Sequence, residues 1–553
     1  MVLLVACAVH AFAAEAKHGM VATVHPIATD AAVNVLESGG NAVDAAVAAG
    51  LTLGVVDGHN SGIGGGCFML VRTADGKFFA LDGREMAPAA ATRDMFIREG
   101  KADTELSQTG ALASGIPGSV AVYEYAVQHF GKKTFAEVIL PAAAIAESGF
   151  PIDSKYAGKL ATEKLVGKIA RFPGTRAVLL KSDGSALKKG DTLVQTDLAR
   201  TYRGIASEGS SYFYRGPFAK AVAAWMKENG GLISEDDFAN YEMKQREPLV
   251  TKYRGYTIVG FPPPSSGGVH VAQVLNILSH FDLAKLESED PAKRIHVMSD
   301  AMKLAFADRA YWLGDPDFVK VPHGLIDQGY ADSLAAQIDP LTALATIDHG
   351  TPPKSDEEVF GKHTTHIAVA DDQGNWVAMT QTVNTAFGSK VIVPGTGVIL
   401  NNQMDDFSVQ PGVPNYFGLV GNEANAVGPR KRPLSSMSPT IVLDRDGNPF
   451  MTVGAAGGPK IITQAVLAIS NVIDLGDDLD KALQRPRFHH QWSPDAIWIE
   501  KTTDPELLKK LESMGHKLDV SVPMGATQAI LRKPDGTFVG VSEPRVPGKA
   551  AGN

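Results

Sequence analysis

The chain has 553 residues, enough for two domains or one large layered domain. It is 44% hydrophobic and 20% charged, as globular proteins are, and its 56 glycines point to many tight turns. A net charge of −9 without a long basic run argues against nucleic-acid binding, and Arg430-Lys431-Arg432, set between Pro429 and Pro433, reads as a solvated turn.

In chain order, residues 1–13 form an apolar leader, "MVLLVACAVHAFA", with an Ala-x-Ala cleavage pattern at Ala11-Phe12-Ala13. It lacks the usual positive start. "LVAC" resembles a lipoprotein box, but the apolar run beyond Cys7 argues against lipidation. The expectation is export to the periplasm or the medium, with no stable membrane anchor. Once the leader is removed only Cys67 remains, which leaves no disulfide framework and no cysteine metal cluster. No later stretch is long and apolar enough to span a bilayer.

The N-terminal region reads as helical, through "NAVDAAVAAGLTLGVV", "GSVAVYEYAVQHFG" and "AKRIHVMSDAMKLAFADRAYWLG", the last with apolar residues at helical spacing. "SGIGGG" (61–66) is no phosphate loop, because Lys-Ser/Thr does not follow it. Residues 341–363 mix glycine, paired proline and acids without periodicity, as a surface linker that tolerates cleavage does. Beyond them "HIAVADDQGNWVAMTQTV" and "PTIVLDRDGNPFMTVGA" each read as a hairpin. "TDPELLKKLESMGHK" reads as a helix capped by Thr503 or Asp504, with Pro505 in its first turn and Gly515 past its end. Hairpins flanked by helices predict an α/β layered sandwich.

The chemistry centres on "KHTTHIAV". Cleavage between His363 and Thr364 would place a new α-amine on the same residue as the Thr364 hydroxyl. With a pKa of about 7.7–8.0, that amine serves as a base near neutral pH. A Thr-Thr pair at a strand start is equally an ordinary β-branched opening. Gly457 and Gly458 follow a strand, where backbone N–H groups can approach an oxyanion, or where the chain simply turns. Asn402, Gln403, Asp405 and Asp406 form a polar cluster suited to an ammonium, or an Asx-rich turn. Ser435 and Ser436 add hydroxyls. Arg84 suits a carboxylate, or pairs within the chain with Glu85 or Asp82. Taken together these residues describe a zwitterion site beside an acyl-transfer centre.

The sequence resembles the γ-glutamyltransferases (γ-glutamyl transpeptidase/glutathione hydrolase) of the N-terminal nucleophile hydrolase superfamily, along essentially the whole mature chain. The motifs are "GGNAVDAAVA", "DGREMAPAAATRDMF", "PPPSSGGVH", "LGDPDFVKVP", "TTHIAVAD", "LNNQMDDFS", "GPRKRPLSSMSPT" and "RFHHQW". The resemblance implies a four-layer αββα sandwich formed by two chains from one precursor, a large subunit 14–363 and a small subunit 364–553. It implies Thr364 as nucleophile in self-cleavage and catalysis, oriented by Thr382, with Gly457 and Gly458 as oxyanion hole. Arg84, Ser435 and Ser436 would hold the α-carboxylate of a γ-glutamyl group, and Asn384, Gln403 and Asp406 its α-amino end. Glutathione and related γ-glutamyl compounds would be donors, water and amino acids or dipeptides acceptors, with no cofactor and no metal. His489 and His490 suit a hydrogen-bonded structural role, since adjacent histidines do not readily share one metal.

Two departures stand out. Tyr416 is followed by Phe417, where bacterial members with this lid loop often carry the phenol, so a lid hydrogen bond to Asn384 is not available. "GGPK" replaces a serine-containing continuation after the glycine pair. The rival readings are a β-lactam side-chain (glutaryl/cephalosporin) acylase of the same superfamily, which needs no ammonium pocket, and a non-catalytic exported peptide-binding protein.

Overall fold

Within "DDQGN", Asp371 Oδ1 accepts the backbone N–H of Asn375 at 2.9 Å and Gly374 takes φ +95°, so the chain reverses tightly. The flanking segments pair antiparallel, His366 opposite Thr380 and Ala370 opposite Trp376. The hairpin lies within one of two seven-stranded sheets in a computed structural model that describes residues 13–345, 347–353, 365–521 and 524–553.

The strands of these sheets are β1 (Ala13–Ala16), β2 (Gly19–Thr23), β3 (Gly66–Arg72), β4 (Phe78–Gly83), β5 (Lys244–Arg246), β6 (Leu249–Tyr253) and β7 (Tyr256–Gly260), then β8 (His366–Asp371), β9 (Trp376–Thr382), β10 (Thr440–Leu443), β11 (Pro449–Ala456), β12 (Ala526–Arg532), β13 (Phe538–Val541) and β14 (Lys549–Gly552). One sheet runs β1-β13-β12-β11-β10-β7-β6 and the other β14-β2-β8-β9-β3-β4-β5. Neighbours in both are antiparallel. Strands β1–β7 precede the expected cleavage point and β8–β14 follow it, and each sheet contains both kinds. Neither segment can complete a sheet alone.

The sheets face each other across an apolar layer that includes Met20, Phe68, Phe261, Trp376, Ile441 and Phe538. Phe68 and Phe261 stack there with ring centroids 4.3 Å apart. Helices Pro26–Glu37 and Ala42–Val56 cover the outer face of the β8–β9 sheet, with Phe135–Ser148 packed on Ala42–Val56. Helices Ser266–Leu278 and Lys460–Ile473 cover the outer face of the other, with Pro291–Trp312 packed on Ser266–Leu278. This is the expected αββα sandwich. Ala42–Val56 is buried at every position, which explains its unbroken apolar sequence. Its N-terminus is capped by Asn41 and by Asp371 Oδ2, which accepts the N–H of Ala42 at 3.0 Å and ties the hairpin to the helix layer.

Two readings of the sequence change. The N-terminal region is not purely helical: it supplies β2, β3 and β4, whose residues are buried on both faces for most of their length and so lack the alternation that marks a half-exposed strand. Arg430-Lys431-Arg432 is not a solvated turn. Lys431 and Arg432 are buried, Lys431 Nζ donating to the carbonyls of Ala424 and Ala426 and Arg432 pairing with Asp82 at 2.8 Å. Of the linker 341–363, residues 341–345 and 347–353 contain neither helix nor strand, and the remainder lies outside the described residues.

The leader up to Phe12 also lies outside them. Ala13, the residue before the expected leader cut, is the first residue of β1 and pairs with Val541. Among the described residues no helix is long and apolar enough to cross a membrane.

Candidate active site

His363 and Thr364 lie outside the described residues. Their neighbour Thr365 is buried and forms two backbone hydrogen bonds with Gln381, its N–H donating to the Gln381 carbonyl and its carbonyl accepting the Gln381 N–H at 2.6 Å. Thr382 ends β9 and is buried, and its Oγ1 accepts the backbone N–H of Asn384 at 2.7 Å, so the hydroxyl keeps its own proton to donate. Asn384 sits at φ +80°, a backbone conformation that asparagine tolerates better than most residues. The glycine run "SGIGGG" packs directly beneath: a Cβ on Gly65 would overlap the Thr382 carbonyl. Its function is close approach. His366 Nδ1 lies 3.1 Å from Thr380 Oγ1, and burial pushes the ring down to about 3, so it stays neutral.

Gly457 and Gly458 lie between the last residue of β11 and the 14-residue helix Lys460–Ile473, at φ +133° and +65°. Only glycine adopts both without strain. The helix N-terminus adds a positive dipole end beside the pair, which favours a developing oxyanion. Both glycines line a cleft of ≈ 570 Å³ together with Lys155, Asn384, Tyr416 and Phe417. The Phe417 ring rests against Gly458, so this loop is seated on the second glycine of the pair through apolar contact. Asn384 Oδ1 has no hydrogen-bond partner among the described residues, in keeping with a phenylalanine where a phenol would reach.

Behind the cleft is a buried polar pocket. Arg84 is fully buried; its Nε donates to the Pro433 carbonyl at 3.0 Å, Nη1 to Glu85 at 3.2 Å and Nη2 to Asp406 at 2.5 Å. The pairing with Glu85 is one of the two intrachain partners open from sequence, and the pairing with Asp406 was not expected. Asp82, the other candidate, instead accepts the Arg84 backbone N–H and pairs with Arg246 and Arg432. The adjacent acids part company: Asp405 binds Ser107 at 2.6 Å and the Tyr416 N–H at 3.0 Å, anchoring the lid loop, while Asp406 turns to the pocket.

Six buried atoms at the expected substrate positions have no hydrogen-bond partner among the described residues: Asn384 Oδ1, Gln403 Nε2 and Oε1, Asp406 Oδ1, Ser435 Oγ and Ser436 Oγ. An unsatisfied buried polar group costs about 1–3 kcal/mol, so so many on one predicted set calls for a polar ligand. Burial raises the Asp406 carboxyl above its ordinary range, opposed by the guanidiniums of Arg84 and Arg309. Burial also pushes Glu85 up to about 7 against the pull of Arg84.

Sequence reasoning named Glu85 only as a possible partner of Arg84 and missed Arg309 altogether. Arg309 lies on the helix Pro291–Trp312, is buried, and forms no ion pair among the described residues; burial lowers it to about 9, against the pull of Asp406. The one available signal was a charged residue on a face of "KLAFADRAYW" that is otherwise packed into the core.

His489 and His490 are hydrogen-bonded in the core as expected, His489 to Thr463 and Gln491 at 3.0 Å each and His490 to the Trp492 N–H at 3.0 Å and to Asp495 at 3.2 Å. His296, Asp300 and His516 form the one group of potential metal ligands found among the described residues. His296 Nδ1 and His516 Nε2 are 2.7 Å apart, a direct hydrogen bond. Two nitrogens on one tetrahedral zinc would stand roughly 3.3 Å apart, given Zn–N bonds of about 2.0–2.1 Å.

A family profile described as Gamma-glutamyltranspeptidase matches residues 28–553. The chain is 46% identical over 535 residues to the glutathione hydrolase proenzyme of Escherichia coli (strain K12), covering 96% of this chain and 91% of that protein. It is 38% identical over 539 residues to the Acylase ACY 1 proenzyme of Pseudomonas sp. (strain SE83), covering 96% and 92%. Among solved structures it is similar to cephalosporin acylase from Bacillus halodurans, with a TM-score of 0.87 and 30% identity over 98% of this chain and 97% of that one. It is also similar to Helicobacter pylori gamma-glutamyltranspeptidase, with a TM-score of 0.56 and 40% identity over 58% of this chain and 91% of that one.

Proposed function

We propose, from the premise that this chain belongs to the gamma-glutamyltranspeptidase family, that it is an exported, self-cleaving γ-glutamyltransferase acting on glutathione and related γ-glutamyl compounds. Leader removal after Ala13 and cleavage between His363 and Thr364 give subunits 14–363 and 364–553. These stay associated because both sheets draw strands from each.

Thr364 Oγ attacks the γ-carbonyl carbon of the donor while its own α-amine takes the hydroxyl proton and Thr382 orients the hydroxyl. The Gly457 and Gly458 N–H groups receive the oxyanion. Collapse expels the leaving amine, which collects the proton, and leaves a γ-glutamyl ester on Thr364. Water or the amine of an amino acid or dipeptide then attacks that ester and restores the free threonine. The donor's α-carboxylate lies against Arg84, Ser435 and Ser436, with Arg309 adding positive field. Its α-ammonium lies against Asn384, Gln403 and Asp406. A zwitterion presents to each member of the Arg84–Asp406 pair a charge opposite to its own.

The observation that carries this reading is that Asn384, Gln403, Asp406, Ser435 and Ser436 all carry buried side-chain atoms without a hydrogen-bond partner among the described residues. An acylase of glutaryl side chains has no ammonium to satisfy Gln403 and Asp406. The decisive experiment is Thr364→Ala, followed by intact mass and N-terminal sequencing. The variant is expected as a single inactive chain, whereas wild type yields two chains and, with glycylglycine present, a γ-glutamyl peptide. Cleavage of the variant at the same bond would transfer the nucleophile role to Thr365.

A further inference from the structure

We propose that Lys155 and Lys159 form a subsite for a carboxylate carried by the group that leaves the γ-glutamyl donor or attacks the acyl-enzyme. This rests on the acyl-transfer reading above and names the class of substrate that the cleft favours.

Lys155 and Lys159 belong to the short helix Ser154–Leu160, whose N-cap Asp153 accepts the Tyr156 N–H at 2.7 Å and whose Tyr156 and Leu160 are buried. Four residues apart, the two lysines share one face, and like charges so placed repel. Both line the same cleft as Gly457 and Gly458. Among the described residues the lining contains no aspartate or glutamate, and its third cation, Arg545, is already bound to Glu500 at 2.8 Å and Glu543 at 3.1 Å. Among the described residues neither lysine has an ion pair or a side-chain hydrogen bond.

The titratable groups around the lysines do not neutralise them. Asp153 is engaged as the helix cap. Asp57 is buried, bound by Asn60 at 3.0 Å, and pushed up to about 7. His25 and His59 are held low, chiefly by burial, with Lys155 adding to the effect on both and Lys159 on His59. A repelling pair of cations facing a cleft whose described lining holds no acid leaves its charge to whatever enters. The donor's own α-carboxylate is bound behind the cleft, so the anion met here is a second one, at the far side of the scissile amide. A free C-terminus on the leaving peptide or on an acceptor peptide supplies it.

The two sources are separated by two arms. The donor arm compares kcat/KM for γ-glutamyl-3-carboxy-4-nitroanilide and γ-glutamyl-4-nitroanilide. The acceptor arm compares transfer to glycylglycine and to glycylglycine amide. Each ratio is measured in wild type, in Lys155→Gln/Lys159→Gln and in Lys155→Glu/Lys159→Glu, with self-cleavage and melting temperature reporting the fold. On at least one arm we expect the carboxylate-to-neutral ratio to fall by about two- to fivefold in the Gln pair, the size of a screened ion pair, and further in the Glu pair. The wild-type preference should shrink between about 20 mM and about 500 mM salt, a read-out that needs no variant to fold. Ratios that are the same in wild type and the Gln pair on both arms, or indifferent to salt in wild type, overturn the subsite. Wild type inert toward both anilides overturns the acyl-transfer reading and this one with it.

Discussion

The pocket behind the glycine pair and the cleft in front of it are both polar, yet they meet a ligand on opposite terms. In the pocket Arg84, Gln403, Asp406, Ser435 and Ser436 are buried, and several atoms of the last four lack partners among the described residues. In the cleft Lys159 and Tyr416 are exposed. A desolvated group discriminates strongly, because a substrate that fails to satisfy it leaves the full cost standing. An exposed charge is screened by water and salt and discriminates weakly. On the proposed reading the protein fixes the acyl part of its substrate closely and leaves the other part broad, which suits one acyl group passing to several acceptors.

The contrast can be broken first at the boundary between the two regions. Gly458→Ala puts a methyl group against Phe417 at a φ of +65°, which displaces the N–H proposed to receive the oxyanion. The acylation rate should fall by about 10²–10³, the effect of losing one oxyanion donor, in pre-steady-state kinetics. A smaller fall would place the oxyanion elsewhere.

Asp406→Ala tests the pocket itself. Losing a charge-assisted hydrogen bond of about 1.5–3 kcal/mol should lower kcat/KM for γ-glutamyl anilides by roughly one to two orders of magnitude. Glutaryl anilides, without the amino group, should be poor for wild type and lose far less in the variant. Equal losses would reduce Asp406 to a structural partner of Arg84, and a wild-type preference for glutaryl amides would favour the acylase reading.

The smallest effect concerns Glu85. Its carboxyl is raised from 4.5 to about 7 in the folded protein, so the native state holds a proton that the unfolded chain has lost between those values. Its contribution to stability is complete below about pH 4.5, declines through about pH 7, and is flat above. Glu85→Gln should flatten that part of the melting-temperature profile. A variant profile parallel to wild type would show that Glu85 titrates normally.

Much of the frame was legible in the linear chain, because caps and turns act over four or five residues. Asp371 with Asn375 and Asp504 before Pro505 each satisfy backbone groups in their own neighbourhood, and both appear where their spacing places them. The Gly457-Gly458 pair after a strand was legible for the same reason. The buried strand β3 was not, since burial on both faces erases the alternation that would reveal it. Arg432 defeated a local reading because its partner Asp82 is reached only through the fold, and Lys431 because its burial, with Nζ on the carbonyls of Ala424 and Ala426, is imposed by the surrounding layers.

The sequence alone determined which local devices form and, through its many motifs, which residues are candidates for the chemistry. Tertiary structure decided their relations. It paired Arg84 with Asp406 across 322 residues, brought Arg309 to the same pocket, and turned Lys155 and Lys159 toward the cleft that holds the glycines. Charges that share a desolvated volume interact strongly whatever their separation along the chain, and only the packed layers decide which ones share it.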